Sequence, residues 1–91
     1  MKNRHIIERL TGNGDLTAEL VTGQPLVELL GDRRVLVENH RGIAEYGHER
    51  IKINLDFGVL CITGCVLTIA YMSKQRLIIR GTIMGISIHR R

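Results

Sequence analysis

The sequence predicts a mainly β protein: an antiparallel meander of about eight short strands, curled into a roll, sandwich or barrel, with a short N-terminal helix. Three observations predict it. From Leu26 onward apolar residues recur at every second position, the period at which one face of a strand repeats. Glycine-rich turn signals interrupt this pattern roughly every ten residues, the spacing of an all-β fold. The stretch Gly58–Tyr71, GVLCITGCVLTIAY, has no charge and is rich in Val, Ile, Leu and Thr, which suit a pleated surface.

The elements follow in order. Residues 1–14 are polar, end in Thr11-Gly-Asn-Gly14, and read as a flexible arm with a helical turn at Ile6–Leu10. Residues 15–91 form one domain. Asp15 caps a short helix through Val21, with Glu19 favourably placed and Leu16, Leu20 and Val21 on one side. Gly23 ends that helix and Pro25 prevents its continuation. Strands are then expected at Leu26–Leu30, Arg34–Glu38, Ile43–Tyr46 and Arg50–Leu55. Val35, Val37, Ile51, Ile53 and Leu55 point inward. Gly31-Asp32, Asn39-His40-Arg41-Gly42 and Gly47-His48 supply the turns, with Asn39 and Gly42 suited to left-handed backbone.

After the turn Asp56-Phe57-Gly58, a central hairpin is expected: Val59–Thr63 and Val66–Tyr71, folded back at Gly64. Leu60 and Ile62 share one face, and Leu67, Ile69 and Tyr71 share one beyond the turn. Met72-Ser73-Lys74-Gln75 is a polar loop. Strands at Arg76–Arg80 and Thr82–His89 follow, separated by a turn at Gly81. Ile83 and Ile86 differ in parity, which places a bulge near Gly85. The uncharged run from Phe57 to Ser73 is short of the about 20 residues a membrane-spanning helix needs, and it alternates with a period of two. A hairpin is the better reading.

Leu60-x-Ile62-x-Gly64 reappears as Leu77-x-Ile79-x-Gly81, at an offset of 17 residues. This echo reads as two strand–Gly–strand units. It leaves a β-solenoid as the alternative fold.

A chain of 91 residues buries only a little over ~60% of its unfolded surface. Its aromatics are Tyr46, Phe57 and Tyr71, so the core must be aliphatic. Val59, Cys61, Val66, Ala70, Ile78 and Met84 point away from the main core face, and a sheet face this apolar is seldom left wet. A second sheet layer or a second copy would cover it, so a homo-oligomer is expected. The net charge of +4 is spread along the chain and reads as solvated strand faces rather than a nucleic-acid footprint. Two cysteines cannot form a disulfide framework, and charges interrupt any N-terminal leader pattern, so a cytoplasmic, reduced protein is expected.

Chemistry is sparse. Cys61 and Cys65 form C-x3-C without the second pair that a zinc site needs. No phosphate-loop motif and no paired carboxylates occur. Asn39-His40-Arg41 is the most chemical-looking segment, but a nucleophile and an orienting acid are missing around it. It reads as a structural turn, with Asn39 bonding its own backbone and His40 and Arg41 exposed. No enzyme, cofactor, metal or small-molecule substrate is expected. The residues expected to make protein contacts are Asn39, His40, Arg41, Val66 and Ile78. The rival reading is a small anion- or nucleic-acid-binding β-barrel that uses Lys52, Arg76 and Arg80.

From Asp15 to Ile88 the chain resembles the YabP/YqfC family of sporulation proteins, and the YqfC branch most closely. The resemblance rests on Asp15-Leu16, Pro25, Gly31, Val37-Glu38-Asn39-His40-Arg41-Gly42-Ile43, Tyr46 and Ile51-x-Ile53. It continues with Gly58-x-Leu60-x-Ile62-x-Gly64-x-x-Leu67-x-Ile69 and Leu77-x-Ile79-x-Gly81-x-Ile83-x-x-Ile86. Thr17 stands where the family usually has Pro, and Cys61 and Cys65 are atypical of it. The resemblance implies a non-enzymatic protein of endospore formers, acting in the mother cell cytoplasm or peripherally at the forespore membrane. It implies a structural or assembly role in spore-envelope formation, with a membrane-linked partner of the YqfD type.

Overall fold

The computed structural model describes residues 23–91. The arm expected at residues 1–14 and the helix expected at Asp15–Val21 lie outside the described residues. Six strands follow one another: β1 (Leu26–Leu30), β2 (Arg34–Glu38), β3 (Ile43–Tyr46), β4 (Arg50–Leu55), β5 (Gly58–Met72) and β6 (Arg76–Arg90). They form one antiparallel sheet in the order β1-β2-β6-β5-β4-β3.

The first four strands lie where the alternation placed them. Each is short and stops at a residue that can leave the extended region, such as Gly31 (φ 61) or Asn39 (φ 62). The last four expected strands are two. Gly64 and Gly81 do not reverse the chain. The reversal occurs at the polar loop after Met72, where Ser73 N–H donates to the Arg76 carbonyl at 2.7 Å and Arg76 N–H donates to Ser73 Oγ at 3.0 Å.

The two glycines serve close approach instead. A Cβ on Gly64 would collide with the Thr82 carbonyl oxygen, and one on Gly81 would lie 2.8 Å from the Val66 carbonyl oxygen. The long strands therefore cross and bend there. Register shifts between Thr63 and Gly64, between Cys65 and Thr68, and between Ile69 and Tyr71 mark the bend. Thr63 pairs with Gly85 while Gly64 pairs with Ile83, so Met84 is the extra residue of the bulge expected near Gly85.

The bend splits the sheet into two halves. In one, β1 and β2 flank the start of β6; in the other, β3 and β4 flank the start of β5. The turns act alike. His48 and Glu49 carbonyls accept the N–H groups of Leu67 and Gly64, and Asp32 and Arg33 carbonyls accept those of Ile83 and Gly81. The 17-residue echo is thus two equivalent placements of a long strand, central in its first half and edge-like after its glycine.

Val35, Val37, Leu77 and Ile79 from one half meet Ile51, Ile53, Leu55, Leu60 and Ile62 from the other, with Leu67 at the bend. All ten are at most 1% exposed. Each such burial contributes roughly 1.5–3 kcal/mol, and a chain with three aromatics has no other large source. Tyr71 departs from the expected inward face. The shift between Ile69 and Tyr71 reverses its parity and pairs it with the outward Ile78. β1 and β3 are the two ends of the sheet and do not pair, so the sheet is not closed into a barrel. Antiparallel neighbours throughout exclude the solenoid, whose rungs run parallel.

Candidate contact surface

Asn39, His40 and Arg41 lie in the crossover from β2 to β3, and the structure gives each a different job. Asn39 adopts left-handed backbone; its N–H donates to the Gln75 carbonyl at 2.6 Å and its Nδ2 to the Gln24 carbonyl at 2.7 Å. It does not bond its own backbone. His40 is 6% exposed, against the expectation of an exposed turn residue. Its Nδ1 accepts the Gly42 N–H at 2.9 Å, which leaves Nε2 to donate to the Ser73 carbonyl, also at 2.9 Å. Both ring nitrogens are used. The ring holds the crossover to the β5–β6 loop and has no nitrogen free for a substrate.

Arg41 is exposed and its Nε donates to Asp56 Oδ1. The hydrogen bond and the negative charge of Asp56 raise the guanidinium pKa further above its already high ordinary value. Beside Asn39, a shallow hollow of about 210 Å³ is lined by Glu38, Tyr71, Ser73, Gln75 and Arg76. It is open and mostly polar, and suits a docking side chain better than a reacting one.

Ile78 and Val66 are not adjacent. Ile78 lies half-buried on the outer face, in a row that runs Glu28, Leu36, Ile78, Tyr71 across four strands. Val66 sits at the bend, 74% exposed and with φ 53, an uncommon conformation for a β-branched residue. The five expected contact residues therefore form no single patch. Asn39 and Arg41 border the crossover, Ile78 lies on the outer face, Val66 marks the bend, and His40 is internal.

The expected outer apolar set divides as well. Val66 and Met84 are well exposed, Val59 and Ile78 are half-buried, and Cys61 is buried. Cys61 and Cys65 are free thiols, and Cys65 Sγ lies 3.8 Å from Met84 Sδ. Among the described residues no three His, Cys, Asp or Glu side chains converge on one point.

Half of the described basic residues face a carboxylate: Arg33, Arg41, Arg50, Lys52 and Arg76. Arg76 reaches Glu38 at 2.7 Å, and Lys52 and Arg50 both face Glu45 at 3.7 Å. Arg34 and Arg80 oppose each other directly across β2 and β6 and, with Arg33 and Gly81, line a second shallow hollow of about 240 Å³. Sequence reasoning missed Leu29, Tyr46, Met72 and Ile88 as exposed apolar side chains. Each lies opposite a fully buried residue (Val35, Ile51, Leu77 and Leu60), so it shares the core face and is exposed at the margin of the sheet, where cover ends.

The YabP family matches the chain over residues 22–91, most of its length and all six strands. The chain belongs to the YabP family. No curated protein and no solved structure matches it. YabP-family membership is consistent with a sporulation-associated protein. Among the described residues no helix is long and apolar enough to cross a membrane.

Proposed function

We propose that this YabP-family chain is a non-enzymatic sporulation protein of the YqfC branch that works by protein–protein contact during spore-envelope assembly. Its partners are further copies of itself and a membrane-linked sporulation protein of the YqfD type. It acts in the mother cell, in the cytoplasm or at the forespore membrane. The observation that carries this reading is the division of the side chains. The polar groups of the crossover, His40 above all, are spent on holding the fold, while Val66, Met84, Ile88 and Tyr71 are left outside as apolar surface. Such a surface offers contact and no reaction centre.

Two experiments test it. Removing the gene from its own host should lower the yield of heat-resistant spores and leave vegetative growth unchanged; normal spore yield would refute the sporulation role. Ile78→Asp or Val66→Asp should disperse an oligomer while circular dichroism stays unchanged. Association that survives both substitutions would remove these residues as contacts.

A second reading has one observation in its favour. Arg34 and Arg80 are like charges directly opposed across a strand pair, an arrangement that destabilises unless an anion relieves it. In this reading Arg34 and Arg80 hold a phosphate-like group, while Arg33 already faces Asp32 at 3.6 Å. Lys52 and Arg76 do not contribute, because Glu45 and Glu38 already face them. Stabilisation by phosphate that is lost in Arg80→Gln would support it, and an unchanged melting temperature would end it.

A further inference from the structure

The sheet has four open stretches of edge among the described residues: β1, β3, the last part of β5 and the last part of β6. Sheet edges invite another strand, and proteins blunt them with charges, bulges or shortness. β1 is five residues long and carries Glu28 at its centre. β3 has four residues, includes Glu45, and is irregular between Ile43 and Glu45. The end of β5 is broken by register shifts on both sides of Thr68-Ile69. The end of β6 is the least blunted: between the bulge at Met84 and the terminal Arg90 it carries neither an acidic residue nor a register shift. From Gly85 to Arg90 it pairs with β5 residue by residue, without a shift, while β2 covers only Arg34 to Glu38 against Arg80 to Arg76.

The direction of its free groups can be read. Arg91 N–H donates to the Phe57 carbonyl, on the β5 side. Along an unshifted strand, Ser87 and His89 then also turn toward β5, and Ile86, Ile88 and Arg90 present their N–H and C=O to the open side. Ile88 is 52% exposed although its neighbour across β5 is the buried Leu60. It lacks cover on the side where the strand lacks a partner.

We infer that this β6 edge pairs antiparallel with the same edge of a second copy, Ile86 opposite Ile88 of the other chain. The inference rests on the self-association reading above and places the two-fold contact at the β6 edge, a site distinct from Ile78 and Val66. A second copy is the occupant because the edge is its own complement. Two-fold pairing about Ser87 sets each outward N–H against an outward C=O and each exposed Ile88 against an Ile86 on the core face. It also keeps the arginines apart. Arg90 falls beside the bulge at Met84 of the other strand, which is 72% exposed, and away from the other Arg90, so like charges do not meet. The half-sheets β3-β4-β5-β6 of the two copies then join edge to edge as eight strands, with β1 and β2 of each copy on the earlier part of its β6.

Ile88→Pro removes one outward N–H without touching the β5 ladder, and proline is tolerated on an edge strand. Light scattering on the full chain should give twice the chain mass for the wild type. For Ile88→Pro, dimerisation should weaken by at least about tenfold, with unchanged circular dichroism. Ser87 faces its own counterpart in a close, non-hydrogen-bonded pair. Ser87→Cys in a Cys61→Ala, Cys65→Ala background should therefore form an intermolecular disulfide on mild oxidation. A wild type that stays monomeric, or a Ser87→Cys chain that stays uncrosslinked, would overturn the inference. If the wild type associates, Ile88→Pro leaves the association intact, and Ile78→Asp abolishes it, the edge is wrong and the broader reading stands.

Discussion

His40 Nε2 donates to the carbonyl of Ser73, 33 residues later, at 2.9 Å. This one bond joins the crossover between the two hairpins to the loop between the two long strands. The same ring accepts the Gly42 N–H, so the turn and the loop are fixed by one side chain. His40→Ala would leave a buried donor and acceptor without partners. It should cost about 1–3 kcal/mol of stability, read as a lower urea midpoint. An unchanged midpoint would mean that water replaces the ring without loss.

Gly64 has no room for a side chain, because the Thr82 carbonyl occupies the place of a Cβ. Backbone cannot yield as a flexible side chain can. Gly64→Ala should destabilise by about 1–3 kcal/mol, whereas Gly47→Ala, whose nearest neighbour would be 3.4 Å away, should be much milder. Thermal unfolding of the two variants side by side measures the difference. Equal melting temperatures would show that Gly64 is a turn residue and not a crossing point.

Val66 holds a left-handed backbone that costs a β-branched residue roughly 1–2 kcal/mol. Val66→Gly should raise stability by about 0.5–1 kcal/mol after the entropic cost of glycine is set against that gain. It should also weaken self-association if the exposed side chain is a contact. A drop in melting temperature would show that Val66 is packed in the native state.

Arg76 and Glu38 face each other across β6 and β2, half in solvent. A double-mutant cycle on the pair should yield about 0.2–1 kcal/mol, fading with added salt. A coupling well above that range would mean that the pair is shielded in an assembly.

How far the sequence carried the fold can be seen at particular residues. β1 to β4 were legible to their ends: β2 and β4 alternate cleanly, and turn residues such as Gly31 and Asn39, with special backbone, bound β1 and β2. β5 and β6 were not. A glycine inside an apolar run reads equally as a turn or as a close approach, and only the Thr82 carbonyl opposite Gly64 decides. The break from extended backbone at Asn39 and Gly42 was legible from their residue types, but not that the segment crosses from β2 to a strand that is not its neighbour. The burial of His40 was not, because its acceptor lies far along the chain. The exposed Ile88 likewise depends on β2 ending early against β6, a fact of pairing and not of pattern.

Sedimentation velocity of the purified full chain, over a wide concentration series, tests the contact-module account most directly. The account predicts species heavier than the 10.3 kDa chain, gaining weight as concentration rises. A single 10.3 kDa species at every concentration would contradict it.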